Sequence, residues 1–318
     1  MESARFGKAL EKAWEARAGL RRDTDAYRLL NGAASGTPGL IVDAFGPYLA
    51  VYAYDKDAAG YGDFAARLAE VTGAEGITLK DRSAKGDADR DGGKDLFGSV
   101  PETAEVREGP LRFRIHPRHP RNVGLFLDTR LLRRHLIETC TQHDVLNLFS
   151  YSCSLGMAAA HGNGGAVANV DVSARYLGWG RENLALNGLP ADRMKFVRMD
   201  SGEYLDWAAK KSLGYDAVIL DPPSFSRSQA GVFSFAGDYW RLAEKCVRLL
   251  RPGGRLYALT NFGGISPDRF RRNLDDTLRS AGKGRAAIRR LALPEDFDGA
   301  GEAEAVEGTL LAFEAALA

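Results

Sequence analysis

The sequence predicts an α/β fold in which a mostly parallel, seven-stranded sheet has helices on both faces and follows a small N-terminal α+β domain. From about residue 119 onwards, short apolar runs alternate with segments of helical spacing, which is the pattern of a parallel sheet. Before that point, β-rich runs flank a turn at Gly46-Pro47. We therefore expect a leading helix over 1–26, a small domain over 27–118 and a large domain over 119–318.

The individual elements follow from apolar periodicity and from turn residues. The polar run over 83–95 has loop composition, and we expect it to be mobile. In the small domain the predicted elements are strands at 40–42, 49–54, 76–80 and 111–115 and a helix at 58–72. In the large domain they are strands at 144–149, 166–171, 195–199, 217–220, 254–260, 286–291 and 308–314, with helices at 155–161, 174–187, 202–211, 235–250 and 267–281.

Composition excludes several classes of protein. The 318 residues are 45% hydrophobic and 27% charged, with a formal net charge of +1, so nothing in the overall charge indicates a nucleic-acid binder. No apolar run reaches the roughly 20 residues of a membrane helix. Three cysteines without CxxC spacing indicate neither a disulfide framework nor a zinc site, so we predict a cytoplasmic protein without a metal.

The candidate functional residues follow strands, because ligands bind at the carboxyl ends of parallel strands. The first strand runs into the small residues of 150–154 and then a helix, where a ligand can approach the backbone. Asp171 ends the second strand, where a carboxylate can accept both hydroxyls of a ribose. Asp200 ends the third strand and could accept a hydrogen bond from an adenine amino group. The alternative interpretations are an ordinary loop for residues 150–154 and helix caps for Asp171 and Asp200.

The most specific strand end is Asp221-Pro222-Pro223, with Phe225 close behind it. Proline fixes φ and lacks an N–H donor, so the carboxylate and nearby carbonyls can face a pocket as acceptors. An aromatic ring beside them can stack on a planar base, although a structural turn is the alternative. Together the four strand ends resemble class I methyltransferases, which use S-adenosylmethionine. The GxGxxG fingerprint of nicotinamide-dependent oxidoreductases is absent from the first loop.

Four segments carry a further resemblance. They are Asn31-Gly32 with Gly36 to Asp43, similar to NGE-DGLPGLIVD; Gly124 to Arg130, similar to GxFLDxR; Leu146 to Tyr151, similar to N-F-SYT; and Asp221 to Ser228, similar to DPPxF and most of all to its DPPTFSNS form. Over most of its length the chain thus resembles the bacterial large-subunit ribosomal RNA methyltransferases, which include carbon-5 cytosine and N7 guanine enzymes. The DPPTFSNS form belongs to the guanine-modifying branch.

The resemblance implies a class I, Rossmann-like fold, S-adenosylmethionine as the cofactor and RNA as the substrate. It implies that Asp221, Pro222, Pro223 and Phe225 face the target base as the catalytic residues. The residues that it implies for the cofactor pocket are Phe126, Asp128, Arg130, Asn147, Phe149, Ser150, Tyr151, Asp171 and Asp200.

Three departures from the family qualify these expectations. The family often begins with a small RNA-binding domain of the PUA type, whereas this chain begins with a helix, so we expect a member without that domain. Ser152-Cys153-Ser154 stands where many relatives have Thr-Gly-Gly. Carbon-methylating relatives carry a cysteine after the fifth strand, where this chain has Thr260-Asn261-Phe262-Gly263. Because methylation of cytosine carbon 5 requires a thiolate, the sequence favours N-methylation, with Asn261 as a candidate contact to the base.

A basic segment over 112–134 is the predicted contact for RNA phosphates, with a solvated edge strand as the alternative. Alternation in this segment places Arg112 and Arg114 on one face of a strand. A target within structured RNA would have to be flipped out of its helix. Two other functions stay open: a methyltransferase for a small-molecule or protein amine, which fits the near-neutral charge, and a non-catalytic binding module, whose mark would be a damaged Asp-Pro-Pro motif.

Overall fold

The computed structural model describes residues 2–54, 61–82, 93–120, 122–162, 165–228, 231–283, 286–297 and 310–317. The chain forms two compact units. The first contains Met1–Arg130 and Pro294–Val306, and the second contains Leu131–Leu293 and Glu307–Ala318. A late segment of the sequence therefore belongs to the first unit.

The first unit combines a five-stranded sheet with a separate two-stranded hairpin. Its elements, in chain order, are α1 (Glu2–Ala16), α2 (Leu20–Asp23), β1 (Ala26–Asn31), β2 (Leu40–Phe45), β3 (Tyr48–Ala53), α3 (Tyr61–Thr72), β4 (Gly76–Asp81), β5 (Lys94–Gly98), β6 (Ala104–Glu108) and β7 (Leu111–Ile115). The sheet has the order β1-β2-β3-β4-β5, in which only β3 and β4 pair in parallel. Gly46, at φ +62°, makes the predicted tight turn between β2 and β3.

The N-terminal segment differs from the single helix predicted over 1–26. Helix α1 ends at Ala16, the short helix α2 follows, and strand β1 begins within the predicted helix. The cause is Thr24, which is fully buried and whose hydroxyl donates a hydrogen bond to Arg107 O at 2.8 Å. The chain is extended at this point because Thr24 also bridges Glu108 of β6.

Strands β1, β5 and β6 are not predicted by the sequence. Charged residues interrupt the short apolar runs of β5 and β6, and β1 begins at the end of the helix predicted over 1–26. Part of the predicted mobile loop, residues 83–92, lies outside the described residues. Lys94 and Asp95 were expected in that loop but begin β5, where Asp95 pairs with Arg118. An edge strand of this kind is recognised by its backbone pairing with β4 and not by its pattern.

A buried ion pair holds the late segment in the first unit. Asp296 is fully buried, and its carboxylate pairs with the guanidinium of Arg130, which is only 4% exposed. The same carboxylate accepts a hydrogen bond from Arg28 N–H at 2.8 Å, and the Arg28 side chain lies over the ring of Phe297. Arg130 also donates to Ala26 O at 3.3 Å. Burying a charge costs free energy of desolvation, which only partners of this kind can offset.

The second unit contains the alternating strands and helices that the sequence predicts. Its elements are α4 (Arg130–Thr139), which begins on the last residue of the first unit, β8 (Val145–Leu148), α5 (Ser154–His161), β9 (Val167–Asp171), α6 (Ala174–Leu186), β10 (Met194–Arg198), α7 (Ser201–Lys210), β11 (Tyr215–Leu220), β12 (Phe225–Ser228), β13 (Gly231–Ser234), α8 (Phe235–Arg248), β14 (Leu250–Thr260), α9 (Pro267–Ser280), β15 (Ala286–Arg290) and β16 (Leu311–Leu317). The antiparallel hairpin β12-β13 is an addition that the sequence does not predict.

The sheet of the second unit has seven strands in the order β10-β9-β8-β11-β14-β16-β15. Strand β16 runs antiparallel to both of its neighbours, and the other adjacent pairs are parallel. The predicted Rossmann-like, mostly parallel sheet is confirmed. All residues of β8 and residues 217–220 of β11 are buried, which explains why these strands read as continuous apolar runs.

The core of the second unit includes a cluster of aromatic rings from α8, α9 and the sheet. The ring of Phe270 lies 5.4 Å from that of Tyr239 and 5.3 Å from that of Phe313, measured between centroids. Aromatic pairs at this separation add to the free energy gained by burial alone. Across the described ranges, no helix has the length and apolar character needed to cross a membrane.

A cluster of charged side chains surrounds Glu314 of β16, which is 5% exposed. Its carboxylate accepts a hydrogen bond from Arg289 of β15, while Arg255 of β14 and His135 of α4 lie 3.5 and 3.6 Å away. Burial alone would raise the pKa of Glu314, but hydrogen bonds and charges from His135 and Arg289 outweigh it and lower the pKa to about 2. The carboxylate is therefore ionised at neutral pH.

We expect Glu314 to make stability depend on pH in acid. Its folded-state pKa of about 2 lies below its ordinary value of 4.5, so the unfolded state binds the proton more readily. The stabilisation is fully present above about pH 4.5 and is lost as the pH falls towards 2. It amounts to roughly 3 kcal/mol in total, of which roughly 2 kcal/mol is lost by about pH 3. Urea denaturation at about pH 6 and about pH 3 measures it. Glu314→Gln should reduce the difference between the two, and an unchanged difference would contradict this assignment.

Candidate cofactor and substrate site

The carboxyl ends of the parallel strands lie at one edge of the second unit's sheet. Strand order reverses between β8 and β11, because β9 and β10 continue on one side and β14 on the other. In open α/β sheets, ligands bind beyond the strand ends at such a reversal. The residues that follow β8, β9, β10 and β11 therefore form the candidate site.

The loop after β8 has a strained backbone. Phe149, Tyr151 and Cys153 have φ values of +54°, +49° and +62°, in the left-handed region that is costly for residues with a side chain. Hydrogen bonds tie this loop to the end of β9: Ser150 N–H donates to the β9 backbone at 3.0 Å, and Tyr151 N–H donates to the Asp171 carboxylate at 2.9 Å. Strain that is held in place in this way is typical of ligand-binding loops.

Asp171 ends β9 and is half-buried beside this loop. One carboxylate oxygen accepts the Tyr151 N–H, and the other accepts Ser173 N–H at 2.8 Å. Burial raises the pKa of Asp171, and the two backbone hydrogen bonds lower it in part. A carboxylate has about four acceptor positions, so both oxygens can accept a further donor. The cap of α6 is Ser173, so the helix-cap alternative for Asp171 is wrong.

Asp200, by contrast, is the N-cap of α7. Its Oδ1 accepts hydrogen bonds from Gly202 N–H at 2.8 Å and Glu203 N–H at 3.3 Å. These bonds satisfy two of the N–H groups that a helix leaves open at its start. The cap alternative is confirmed for this residue, and its contact with an adenine amino group stays a prediction.

The Asp-Pro-Pro motif follows β11 and leads to an exposed aromatic ring. Asp221 is half-buried and Pro222 is buried, whereas Phe225 is 56% exposed. More than half of the ring surface is exposed, so a planar ligand can stack on it.

Ser224 links this motif to the end of β14. Its hydroxyl donates to Asn261 Oδ1 at 2.8 Å, and its carbonyl accepts Phe235 N–H at 3.1 Å. The ring of Phe235 stacks on that of Phe262 at a centroid distance of 4.8 Å. Within the described ranges the amide N–H groups of Asn261 have no hydrogen-bond partner, so they can serve a ligand.

Tyr239 of α8 is a polar group near the motif that sequence reasoning misses. It is fully buried against Phe235, and its hydroxyl has no hydrogen-bond partner among the residues that the structure describes. Burial raises the pKa of Tyr239 well above its usual value, and the charge of Asp221 raises it further. The hydroxyl is thus a neutral donor close to Asp221. Its position on the apolar face of a helix makes it look like an ordinary core residue in the sequence.

Asn147 lies inside the sheet, although the resemblance implies a cofactor contact. It is 1% exposed, and its amide donates to the Asn169 side chain of β9 at 2.9 Å. A Cβ on Gly156 of α5 would come within 2.0 Å of Asn169, so the helix can approach these amides only with glycine there. The contacts of Asn147 connect β8 to β9, and its cofactor contact stays a prediction.

Phe126, Asp128 and Arg130 belong to the first unit. Phe126 is 41% exposed, Asp128 is half-buried, and Arg130 is buried with Asp296. The ion pair with Asp296 gives Arg130 a structural role. Cofactor contacts of these three residues stay predictions.

All three cysteines of the chain are buried. Burial raises the pKa of Cys140 to about 11 and that of Cys153 to about 12, and it raises the pKa of Cys246 further. Each side chain is therefore a neutral thiol near pH 7 and not the thiolate that attacks a pyrimidine ring.

The arginines of the basic segment alternate as predicted, but several of them are paired with an acid or buried. Arg112 and Arg114 lie on one face of β7, and both pair with Glu105, at 3.9 and 2.8 Å. Arg133 is fully buried, whereas Arg134 is exposed. The contact of this segment with RNA stays a prediction.

The strand order distinguishes this sheet from that of a dinucleotide-binding protein, and comparison with a protein family gives the class. A dinucleotide-binding Rossmann sheet has the order 3-2-1-4-5-6, whereas here the antiparallel β16 is inserted between β14 and β15. The sheet is therefore a Rossmann-like variant and not the dinucleotide-binding sheet itself. Residues 81–312 match the family model described as S-adenosylmethionine-dependent methyltransferase, and the chain belongs to that family.

Individual relatives agree with this assignment. The chain is 30% identical over 305 residues to YwbD of Bacillus subtilis, provisionally named as a ribosomal RNA large subunit methyltransferase, covering 93% of this chain and 76% of that protein. It is 32% identical over 269 residues to a ribosomal RNA large subunit methyltransferase of Deinococcus radiodurans, covering 82% of this chain but 65% of that protein. The crystal structure of SMU.776, provisionally named as a methyltransferase and complexed with SAH, has a TM-score of 0.86 at 26% identity, covering 98% of this chain and 81% of that one.

The donors and acceptors at the strand ends fit S-adenosylmethionine. The Asp171 carboxylate has acceptor capacity for two ribose hydroxyls, and the exposed Val172 beside it offers apolar surface to an adenine ring. The loop over 149–153 brings backbone groups of three small, buried residues and two half-buried aromatic residues to the start of α5. These are the groups that would hold the cofactor.

We expect Asp171→Ala to weaken binding of S-adenosylmethionine by roughly 10- to 100-fold, because hydrogen bonds to a charged acceptor are lost. The substitution also frees the Tyr151 N–H, which loosens the loop after β8. Isothermal titration calorimetry measures the affinity. Asp171→Asn is the control, since it keeps one acceptor oxygen and should lose less. Unchanged affinity in the alanine variant would exclude a cofactor role for Asp171.

Proposed function

We propose that this protein methylates a base nitrogen of large-subunit ribosomal RNA, with the N7 position of guanine favoured over carbon 5 of cytosine. The RNA substrate is supported by the names of the Bacillus and Deinococcus relatives and by the order of the four motif segments. A ribosomal substrate also agrees with the cytoplasmic location predicted from the sequence.

The state of the thiols carries the preference for nitrogen. Carbon-5 methylation needs a thiolate that attacks the ring and later leaves it. Cys140, Cys153 and Cys246 are buried and have raised pKa values, so burial opposes a thiolate at each of them. At the end of β14 stands Asn261, which offers amide N–H groups and no nucleophile.

Methylation of a ring nitrogen requires no nucleophile from the protein. S-adenosylmethionine, when bound, supplies an electrophilic methyl group, and the lone pair of the base attacks it directly. Phe225 would stack on the base, Asn261 would donate to an acceptor such as guanine O6, and Asp221 would accept an N–H of the base. Such contacts align the nitrogen with the methyl group, and alignment alone can supply much of the rate.

The test is methyl transfer from labelled S-adenosylmethionine to protein-free large-subunit rRNA, followed by nucleoside analysis by mass spectrometry. We expect label in an N-methylated base, with 7-methylguanosine as the specific expectation. Single replacements Cys140→Ala, Cys153→Ala and Cys246→Ala should all retain transfer. Label in 5-methylcytidine, lost with one of these cysteines, would overturn the proposal.

A second candidate, a methyltransferase for a small-molecule or protein amine, is favoured by one observation. The arginines of β7 are paired with Glu105 and present little open charge to a phosphate backbone. Measured cofactor binding without label in either free rRNA or ribosomal particles would support this candidate.

A further inference from the structure

A cavity of about 200 Å³ lies between helix α4 and the edge strand β15 of the second unit. Its polar lining consists of Arg134, His135, Glu138 and Arg289, and the rest of its lining is leucine and alanine. None of these residues is part of the strand-end site. The cavity is large enough for a phosphate group with some of its water.

The guanidinium of Arg289 is held in a fixed orientation at this cavity. Its Nε donates to the ionised carboxylate of Glu314, and one terminal nitrogen lies 3.2 Å from a ring nitrogen of His135. The side chain is nevertheless 59% exposed. A guanidinium has five N–H donors in one plane, so the donors that do not face Glu314 or His135 are available to a ligand.

The charge around the cavity is positive in sum. Glu314 is a single carboxylate between two guanidiniums, since Arg255 lies beside it as well as Arg289. At the rim, Arg134 is exposed and forms no ion pair with any residue in the described part of the chain. Glu138 is the acid of the lining, and it leaves at least one cation unbalanced. Arginine donors in a preset plane match the oxygens of a phosphate.

The cavity is also close to the strand ends. Strand β15 runs in the same direction as β14, because both are antiparallel to β16. Three strand intervals separate β11 from β15 in the sheet, which corresponds to roughly 14–15 Å. A single RNA strand can span this distance from a base held at Phe225.

We propose that Arg134, His135 and Arg289 form a phosphate-binding site that holds an internucleotide phosphate of the RNA substrate. This assignment rests on the proposed function, since it presupposes an RNA. It shares only Arg134 with the basic segment predicted over 112–134, because Arg289 is distant from that segment along the chain and because the paired arginines of β7 are not used.

The test measures binding of the full-length protein to a fluorescein-labelled RNA hairpin as a function of salt. Arg134→Gln and Arg289→Gln together should weaken binding at low salt by roughly tenfold and reduce the slope of log K against log salt by about one. Arg248→Gln with Arg279→Gln is the matched control. It removes two exposed arginines that pair with neighbours on their own helices, Glu244 and Asp275. The control should leave affinity and slope close to those of the wild type.

The single variant Arg134→Gln keeps the test valid if the double variant misfolds. Arg134 does not contact Glu314, so its replacement leaves the charged cluster around Glu314 intact. It should reduce affinity by a smaller factor while the melting temperature stays that of the wild type. Equal binding and equal salt slopes in the wild type and both cavity variants would overturn the site and leave the proposed function standing. Failure of the wild type to bind or methylate RNA would instead overturn the proposed function.

Inorganic phosphate is the second probe, and calorimetry measures its binding to wild type and variants. Loss of phosphate binding together with weakened RNA binding supports the proposal. If the variants lose phosphate binding but bind RNA as the wild type does, the cavity takes free phosphate and the assignment to RNA is overturned.

Discussion

Replacing Asp296 by alanine is expected to lower the free energy of unfolding by about 3–5 kcal/mol, the range for breaking a buried ion pair on one side. Arg130 would keep its charge at a position that is 4% exposed, and the Arg28 N–H would lose its acceptor. The remaining acceptor observed for Arg130 is Ala26 O, at 3.3 Å. Urea denaturation followed by circular dichroism measures the loss.

The control for this prediction is Asp275→Ala, which removes a pair with Arg279 on the surface of α9. That pair should be worth about 0.3–0.5 kcal/mol. A double replacement, Arg130→Met with Asp296→Leu, should recover much of the stability, because it leaves no buried charge without a partner. Similar small losses for Asp296→Ala and Asp275→Ala would contradict the account of Asp296 as a buried counter-ion.

Asp221→Ala is expected to slow methyl transfer by about 100- to 1,000-fold, the range seen when one preorganised polar contact to the reacting group is removed. The affinity for S-adenosylmethionine should not change, because the proposed ribose acceptor is Asp171 and not Asp221. The physical reason is loss of the carboxylate that would orient the base beside Phe225.

Single-turnover kinetics with saturating labelled cofactor measure this rate, and calorimetry on the same preparation measures cofactor affinity. Asp206→Ala is the matched control, since Asp206 is an exposed acid on α7 that pairs with Lys245. An Asp221→Ala variant with wild-type turnover would remove Asp221 from the mechanism. A variant that loses cofactor affinity in parallel with its rate would assign Asp221 to the cofactor pocket instead.

Local patterns were sufficient to predict the sheet of the second unit. Buried parallel strands read as apolar runs, and each βα unit contains its own turn and cap, so strand ends such as Asp171 and Asp221 could be located from sequence. The edge strands β5 and β6 could not, because charged residues interrupt their apolar ones and their pairing partners define them.

Contacts between distant residues lay beyond such patterns. Arg130 and Asp296 are 166 positions apart, and nothing local distinguishes Asp296 from the other acids around it. The orientation of the Asn147 side chain could not be predicted either. A strand buried on both faces has no polar alternation that would show which face a side chain occupies. Asp200 shows the remaining ambiguity: a strand-end acid and a helix cap have the same sequence pattern.

The place of β16 in the sheet has a consequence for synthesis of the chain. Strands β8 to β11 and β14 are complete by residue 260, but β15 can join them only through β16, which is residues 311–317. Until those residues have left the ribosome and paired, the open edge of β14 presents unpaired backbone groups to other chains. A chain that stops before residue 310 should therefore aggregate and not fold to a smaller domain.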